Sequence, residues 1–414
     1  MSERIDYHLH TFSNGIRWVH KQVKHTKIAH CGIMLDIGSR DEAAEELGIA
    51  HFWEHMAFKG TKSKKSTYIL QRIDSLGGEL NAYTTKEKIC FHASLLSKHF
   101  EKAIELLTDI TFNSTFPQKE IEKERQVILE EMAMYEDSPE DDIQDKFDDL
   151  IFAGHPMANN ILGTKQSVSS FNQADFNRFL STHIDTKKLI LSTVSNLPVK
   201  SALKTVEKYM ADLPPLENKI ERKTPQIPSN KTKIVSKPIN QTHCMLGNRA
   251  YPIGHEHRLA LFMLTNLLGG PAMNSRLNMS VREKHGLVYN IDAQYSPFVD
   301  TGMFNIYFGC EKKNLKKALE LTLGELKKLR EIPLTSSQLK AAKNQLKGQL
   351  AISEENNNGM MLLMAKSMLD LGHIESLDSI FSRIDAVSSE TLQKVAQEVF
   401  DEKEMFKLIF EPEK

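Results

Sequence analysis

His51, Glu54 and His55 are the only three polar side chains in the apolar stretch Leu47–Phe58. On a helix at about 100° per residue, His55 lies about 40° from His51 and Glu54 about 60° to its other side, so all three share one face. Apolar residues go all the way round, which predicts a buried helix. A buried carboxylate and two imidazoles are costly unless something pairs them, and a cation does this well. The i, i+4 spacing of the histidines suits two imidazole nitrogens on one metal ion. Glu54, on the same face but not needed as a ligand, can reach a water on that ion. The pattern is H-x-x-E-H, the reverse of the H-E-x-x-H zinc motif.

A catalytic zinc site needs a third protein ligand and leaves a fourth position open. The acidic helix beginning near Gln118 offers Glu120, Glu122, Glu124, Glu130 and Glu131. Helical phase places Glu124 and Glu131 inside an apolar arc of Ile121, Val127, Ile128, Met132, Met134 and Tyr135, while Glu122 and Glu130 fall on the solvated side. Glu120 also lies on the arc, but in the first turn, where favouring the helix dipole is reason enough for an acid. The inward pair is one ligand and one carboxylate that orients a ligating histidine. Phase does not say which is which.

These helices need a frame. The chain has 414 residues, of which 40% are hydrophobic and 26% charged, so a disordered chain or a fibre is excluded. Five of the 14 prolines fall between Pro214 and Pro238, which marks 212–241 as a linker between domains 1–211 and 242–414. The halves look alike: the strand-like Ile89–Leu95 runs into Lys102–Leu106, and Phe304–Cys310 runs into Lys317–Leu321. Further strands are expected at 16–23, 28–37, 88–96, 233–235, 243–251, 287–295, 303–310 and 405–410. Helices are expected at 43–58, 67–76, 118–135, 258–268, 315–329, 336–352 and 390–399. Hairpin-like strands punctuated by amphipathic helices predict an α+β fold with two homologous domains, each a mainly antiparallel sheet with helices packed on one face.

Lys plus Arg is 53 against 54 for Asp plus Glu, a net charge of −1, so no global basic field exists for nucleic acid or an anionic membrane. No apolar run is long enough to span a bilayer. Met1–Asp6 lacks the apolar core of a secretory signal, and Cys31, Cys90, Cys244 and Cys310 are far apart, as expected of reduced thiols in the cytoplasm.

With these motifs the sequence resembles the pitrilysin/insulinase family of zinc metallopeptidases, which includes the mitochondrial processing peptidase, and in particular its bacterial half-length members. Glu131 stands 76 residues after His55 and closes an E-x6-E pattern opened by Glu124, as the family pattern has it. The resemblance implies one Zn²⁺ per chain held by His51, His55 and Glu131, with Glu54 as general base and Glu124 behind a ligand histidine. Phe58-Lys59-Gly60-Thr61 and Gly77-Gly78-Glu79-Leu80-Asn81-Ala82-Tyr83-Thr84 match family signatures. The second implies an edge strand, Asn81, Ala82, Tyr83 and Thr84, to which an extended peptide adds by main-chain hydrogen bonds. Leu267-Leu268-Gly269-Gly270 and Val281–Tyr289 match the C-terminal signature, which implies that Arg282 and Tyr289 bind the substrate carbonyl and the tetrahedral intermediate. Taken alone, those two would be a surface Arg and a strand Tyr. The family architecture is half a clamshell per chain, which implies a homodimer or a pairing with an inactive paralogue around a peptide. The other reading is a non-catalytic assembly or peptide-binding subunit, against which the intact His51, Glu54, His55 and Glu131 set argues. The acidic stretch 136–149 is a candidate for favouring basic peptides, and its plainer reading is a solvated helix face.

Overall fold

The computed structural model describes residues 7–218, 220–229 and 231–413. The N-terminal segment Met1–Asp6 therefore lies outside the described residues. The chain forms two compact units. One takes the described residues of Met1–Met132, Asn159–Arg222 and Ile352–Ser376; the other takes those of Ala133–Ala158, Lys223–Ala351 and Leu377–Lys414. Each draws mainly on one side of 212–241 and takes one segment from the other side.

The first unit holds a six-stranded sheet built from β1 (His8–Thr11), β2 (Arg17–Gln22), β3 (Ile28–Leu35), β4 (Glu79–Thr84), β5 (Ile89–Leu96) and β6 (Leu189–Ser195), in the order β1-β2-β6-β3-β5-β4. The second holds β7 (Thr232–Lys237), β8 (Thr242–Ala250), β9 (Val288–Pro297), β10 (Gly302–Cys310) and β11 (Phe406–Pro412), in the order β7-β11-β8-β10-β9. From the edges β4 and β9 inward, the two sheets repeat the same pairings. All are antiparallel except β2 with β6 and, in the equivalent place, β11 with β7. The likeness read from two short segments thus extends to whole sheets, with β1 an added edge strand in the first.

One face of the first sheet carries the large core, with Phe91, Ala93 and Leu95 of β5 packed with Ile104, Leu107 and Ile110 of the helix Phe100–Phe112. On the opposite face Val19, Met34, Cys90, Ile190 and Val194 pack with Met360, Met361, Met364 and Met368 of the helix Asn357–Asp370. Gly32 lets this helix come close: a Cβ on it would lie 2.6 Å from the Met361 sulfur, so that flexible side chain would have to shift. In the second unit Ile143, Phe147 and Ile151 of the helix Pro139–Ile151 pack with Met245, Tyr307 and Leu408. That helix turns Glu140, Asp141 and Asp149 outward, while Asp142 is buried and pairs with Lys237. Among the described residues no helix is long and apolar enough to cross a membrane.

Candidate active site

The histidine helix runs from Ile49 to Met56, shorter than the 43–58 expected. Gly48 sets its start. Its φ of 89° lies in the left-handed region, and a Cβ there would lie 2.3 Å from the Leu162 carbonyl oxygen. The Glu42 carboxylate accepts hydrogen bonds from the Gly48 N–H (2.8 Å) and the Ala50 N–H (2.9 Å), so a side chain from the preceding loop satisfies donors that a helix start leaves open. Ile49, Ala50, Phe52, Trp53 and Met56 are fully buried in the large core, which locks the roll of the helix and aims its polar face.

That face meets the helix Gln118–Asp137. Ile121, Glu124, Ile128 and Met132 are its buried residues, and Glu131 is half-buried beside them. The apolar arc is narrower than expected: Val127 and Met134 point to solvent at 48% and 60% exposure. Both lie well off the Ile121–Ile128 line, and the buried stripe of Ile121, Ile128 and Met132 joins the large core without them.

His51 Nε2 lies 3.7 Å and His55 Nε2 3.5 Å from the same Glu131 oxygen, Oε2. The three candidate ligand atoms all fall within 4.8 Å of one another, and this is the one such group among the described residues. Ligand atoms about 2.1 Å from a tetrahedral ion stand about 3.4 Å apart, close to the two distances from Glu131 to the histidine nitrogens. Glu124 Oε2 lies 3.2 Å from His55 Nδ1, and its Oε1 lies 2.5 Å from the Lys59 ammonium. His55 is thus gripped at both ring nitrogens, as a ligating histidine usually is. The buried Nδ1 of His51 has no hydrogen-bond partner.

The electrostatics follow from this packing. Burial works against a charge on His55, but the hydrogen bonds to Glu124 and Glu131 overcome it and raise its pKa to about 9. Burial, helped by the neighbouring His55, holds His51 below the usual imidazole range. The hydrogen bond from His55 holds Glu131 below the usual carboxylate range. Glu54 is pushed upward by burial, against a short hydrogen bond from Thr84. His51, His55 and Glu131 form a donor set suited to a divalent cation, which would displace the proton that the two carboxylates otherwise hold on His55.

Glu54 does not join the Glu131 cluster. Its Oε2 accepts a 2.6 Å hydrogen bond from Thr84 Oγ1, at the end of β4. β4 is the edge of the first sheet, as the resemblance implied, and its one hydrogen-bonded neighbour among the described strands is β5. Leu80 and Ala82 turn to the large core and Tyr83 to the methionine side. The hydroxyl bond of Thr84 and the Lys59–Glu124 pair were not foreseen. The period-two alternation that puts Thr84 on the face of Leu80 and Ala82 was a readable signal for the first.

Arg282 and Tyr289 belong to the second unit. Arg282 lies in a short π-helical stretch, Asn278–Glu283, where its Nη1 donates to Asn278 Oδ1 at 3.2 Å and its guanidinium stands 6.0 Å from the Tyr289 ring. Tyr289, near the start of β9, is 87% exposed.

Comparison with known proteins gives the chain's family. Residues 17–165 match the family model Insulinase (Peptidase family M16), and residues 170–346 match that of the Peptidase M16 inactive domain. The chain is similar to the "uncharacterized zinc protease YmxG" of Bacillus subtilis (strain 168), 34% identical over 95% of each chain. It is also 29% identical to an "uncharacterized zinc protease" of Rickettsia bellii (strain RML369-C), again over 95% of each chain. In fold it resembles a protease from Helicobacter pylori, with a TM-score of 0.90 at 22% identity, covering 98% of this chain and 99% of that one. A peptidase M16 inactive domain structure from Pseudomonas fluorescens gives a TM-score of 0.90 at 19% identity, covering 99% and 98%. With the H-x-x-E-H helix, the facing glutamate and near full-length similarity to zinc proteases, this chain belongs to the insulinase family, peptidase family M16.

Proposed function

We propose that the protein is a zinc-dependent endopeptidase that cleaves extended peptides or unfolded segments, with His51, His55 and Glu131 holding one zinc ion. The convergence of three ligand atoms within 4.8 Å, with Glu54 on the same helix face, carries this reading. Bound there, zinc would lower the pKa of a water in its open position to about 7 and polarise the scissile carbonyl. Glu54 takes one proton from the attacking water as the new C–O bond forms. It then returns that proton to the leaving nitrogen as the C–N bond breaks, so one water is consumed per bond cut. Glu124 and Lys59 keep the His55 ring fixed. The unpaired edge of β4 receives the substrate main chain over Asn81, Ala82, Tyr83 and Thr84, which gives affinity for an extended peptide without demanding a sequence. Arg282 and Tyr289 keep the role the resemblance gave them, as donors to the substrate carbonyl oxygen.

Mass spectrometry of the products from a mixed peptide pool tests the reading. Cleavage products are expected with the zinc-loaded protein and none after a chelator, with activity regained on adding zinc back. Products unchanged by the chelator would sink it.

Two chains enclosing the peptide belong to the same reading, as does a cytoplasmic location, which the four buried free cysteines support. Light scattering of the purified chain is expected to report a homodimer. A monomer without activity would count against that pairing and point to a heterodimer with an inactive paralogue.

A further inference from the structure

A carboxylate beside a divalent cation is itself a good ligand, and Glu54 sits on the helix between the two histidines. A site with His51, His55, Glu131 and Glu54 all bound would be closed, with no position for water. The side chain must therefore be held aside, and the structure shows one group that does this. Thr84 Oγ1 donates to Glu54 Oε2 at 2.6 Å, the length of a charge-assisted O–H···O⁻ bond. Thr84 is β-branched and stiff at χ1, and its strand position is fixed by pairing with the fully buried Ile89 of β5.

The turn that follows is pinned to an unusual degree. Lys86, Glu87 and Lys88 are all charged and all less than 8% exposed. Lys88 Nζ lies 2.9 Å from Asp36 and 2.8 Å from Asp370, and Glu87 lies 2.5 Å from Arg40. Thr85 closes the turn by donating its N–H to the Lys88 carbonyl at 2.8 Å and accepting the Lys88 N–H on its hydroxyl at 2.9 Å. Buried charges are costly to place and add little net stability, so what this network supplies is position. The residue it holds in place is the one bonded to Glu54.

We propose that Thr84 is a positioning residue for Glu54: its hydroxyl ties one carboxylate oxygen to the edge strand, leaves the other free as the base, and keeps the carboxylate out of the metal's open position. This rests on the zinc-peptidase reading above, but one arm of its test needs no peptide.

Thr84→Val keeps the shape and removes the donor; Thr84→Ser keeps the donor. In the cobalt-substituted protein, Thr84→Val is expected to weaken the visible d–d absorption as Glu54 adds to the coordination sphere. The double variant Thr84→Val/Glu54→Gln and the single Thr84→Ser are expected to restore the wild-type spectrum. With zinc and an unstructured quenched-fluorescent peptide, Thr84→Val should keep stoichiometric metal and its KM, while kcat falls about 10- to 100-fold and Thr84→Ser recovers it. A purely structural role would move thermal stability without this kcat-against-KM split. A wild-type cobalt spectrum together with a kcat within about two-fold of wild type in Thr84→Val would overturn the proposal. An active Glu54→Gln enzyme would instead overturn the peptidase reading, leaving the cobalt spectra to decide on Thr84.

Discussion

Glu54→Gln is expected to retain one zinc per chain and to lose peptide cleavage by about 10²- to 10⁴-fold in kcat, the usual weight of a general acid–base. The substitution is nearly isosteric. The amide oxygen can still accept from Thr84 Oγ1, now 2.6 Å from the carboxylate, so the helix face and β4 need not move. What disappears is the ability to hold a proton between the attack of water and the departure of the amine. His51, His55 and Glu131 are untouched, and Glu54 lies apart from their shared cluster, so metal content should not follow activity. Zinc analysis of the dialysed protein beside kcat on a quenched-fluorescent peptide checks both halves. Full activity in this variant would sink the assignment of Glu54. Loss of zinc along with activity would make it a ligand instead of a base.

The legible part of the site was the part written in short-range periodicity. An i, i+4 pair of histidines with Glu54 between them is visible because the helix around them is otherwise apolar, and the structure buries it as that pattern requires. Glu124 and Glu131 stood out for the same reason, seven residues apart on an inward stripe, and both face the histidines. The same phase logic also drew in Val127 and Met134, which are exposed. A helical wheel places residues by angle alone and cannot tell how wide a stripe the neighbouring elements cover. In the fold, β6 was not among the expected strands. Leu189–Ser195 is buried at every position, so it has no alternation to betray it, although it is central to the sheet. The helix Asn357–Asp370 was not among the expected helices either. That its methionines cover the far face of the first sheet is a tertiary fact with no local signature. Thr84 falls between these cases: alternation gives its face, but the hydroxyl's partner lies 30 residues away on another element.

Zinc content should separate the two glutamates that helical phase could not. Glu131→Gln is expected to lose the metal on dialysis and all cleavage with it, whereas Glu124→Gln should keep zinc with affinity lowered about 10- to 100-fold. The geometry dictates the order. Glu131 Oε2 faces both ring nitrogens at once, 3.7 Å from His51 Nε2 and 3.5 Å from His55 Nε2, so it occupies the third corner of the cluster. A neutral amide there supplies a poor ligand and removes the one anionic ligand of a His, His, Glu set. Glu124 meets the opposite nitrogen, His55 Nδ1, at 3.2 Å, and its other oxygen is taken by Lys59. Its work is to fix the ring and make the facing nitrogen more basic. A glutamine can still accept from Nδ1–H and preserve the ring's orientation, but its amide NH2 then faces the Lys59 ammonium, so the ion pair is lost along with the tuning. Equilibrium dialysis against a zinc buffer series, read by metal analysis, gives both affinities on one scale. If Glu124→Gln emptied the site while Glu131→Gln kept it loaded, the two roles would have to be exchanged, and the convergence of His51, His55 and Glu131 would no longer be the metal centre.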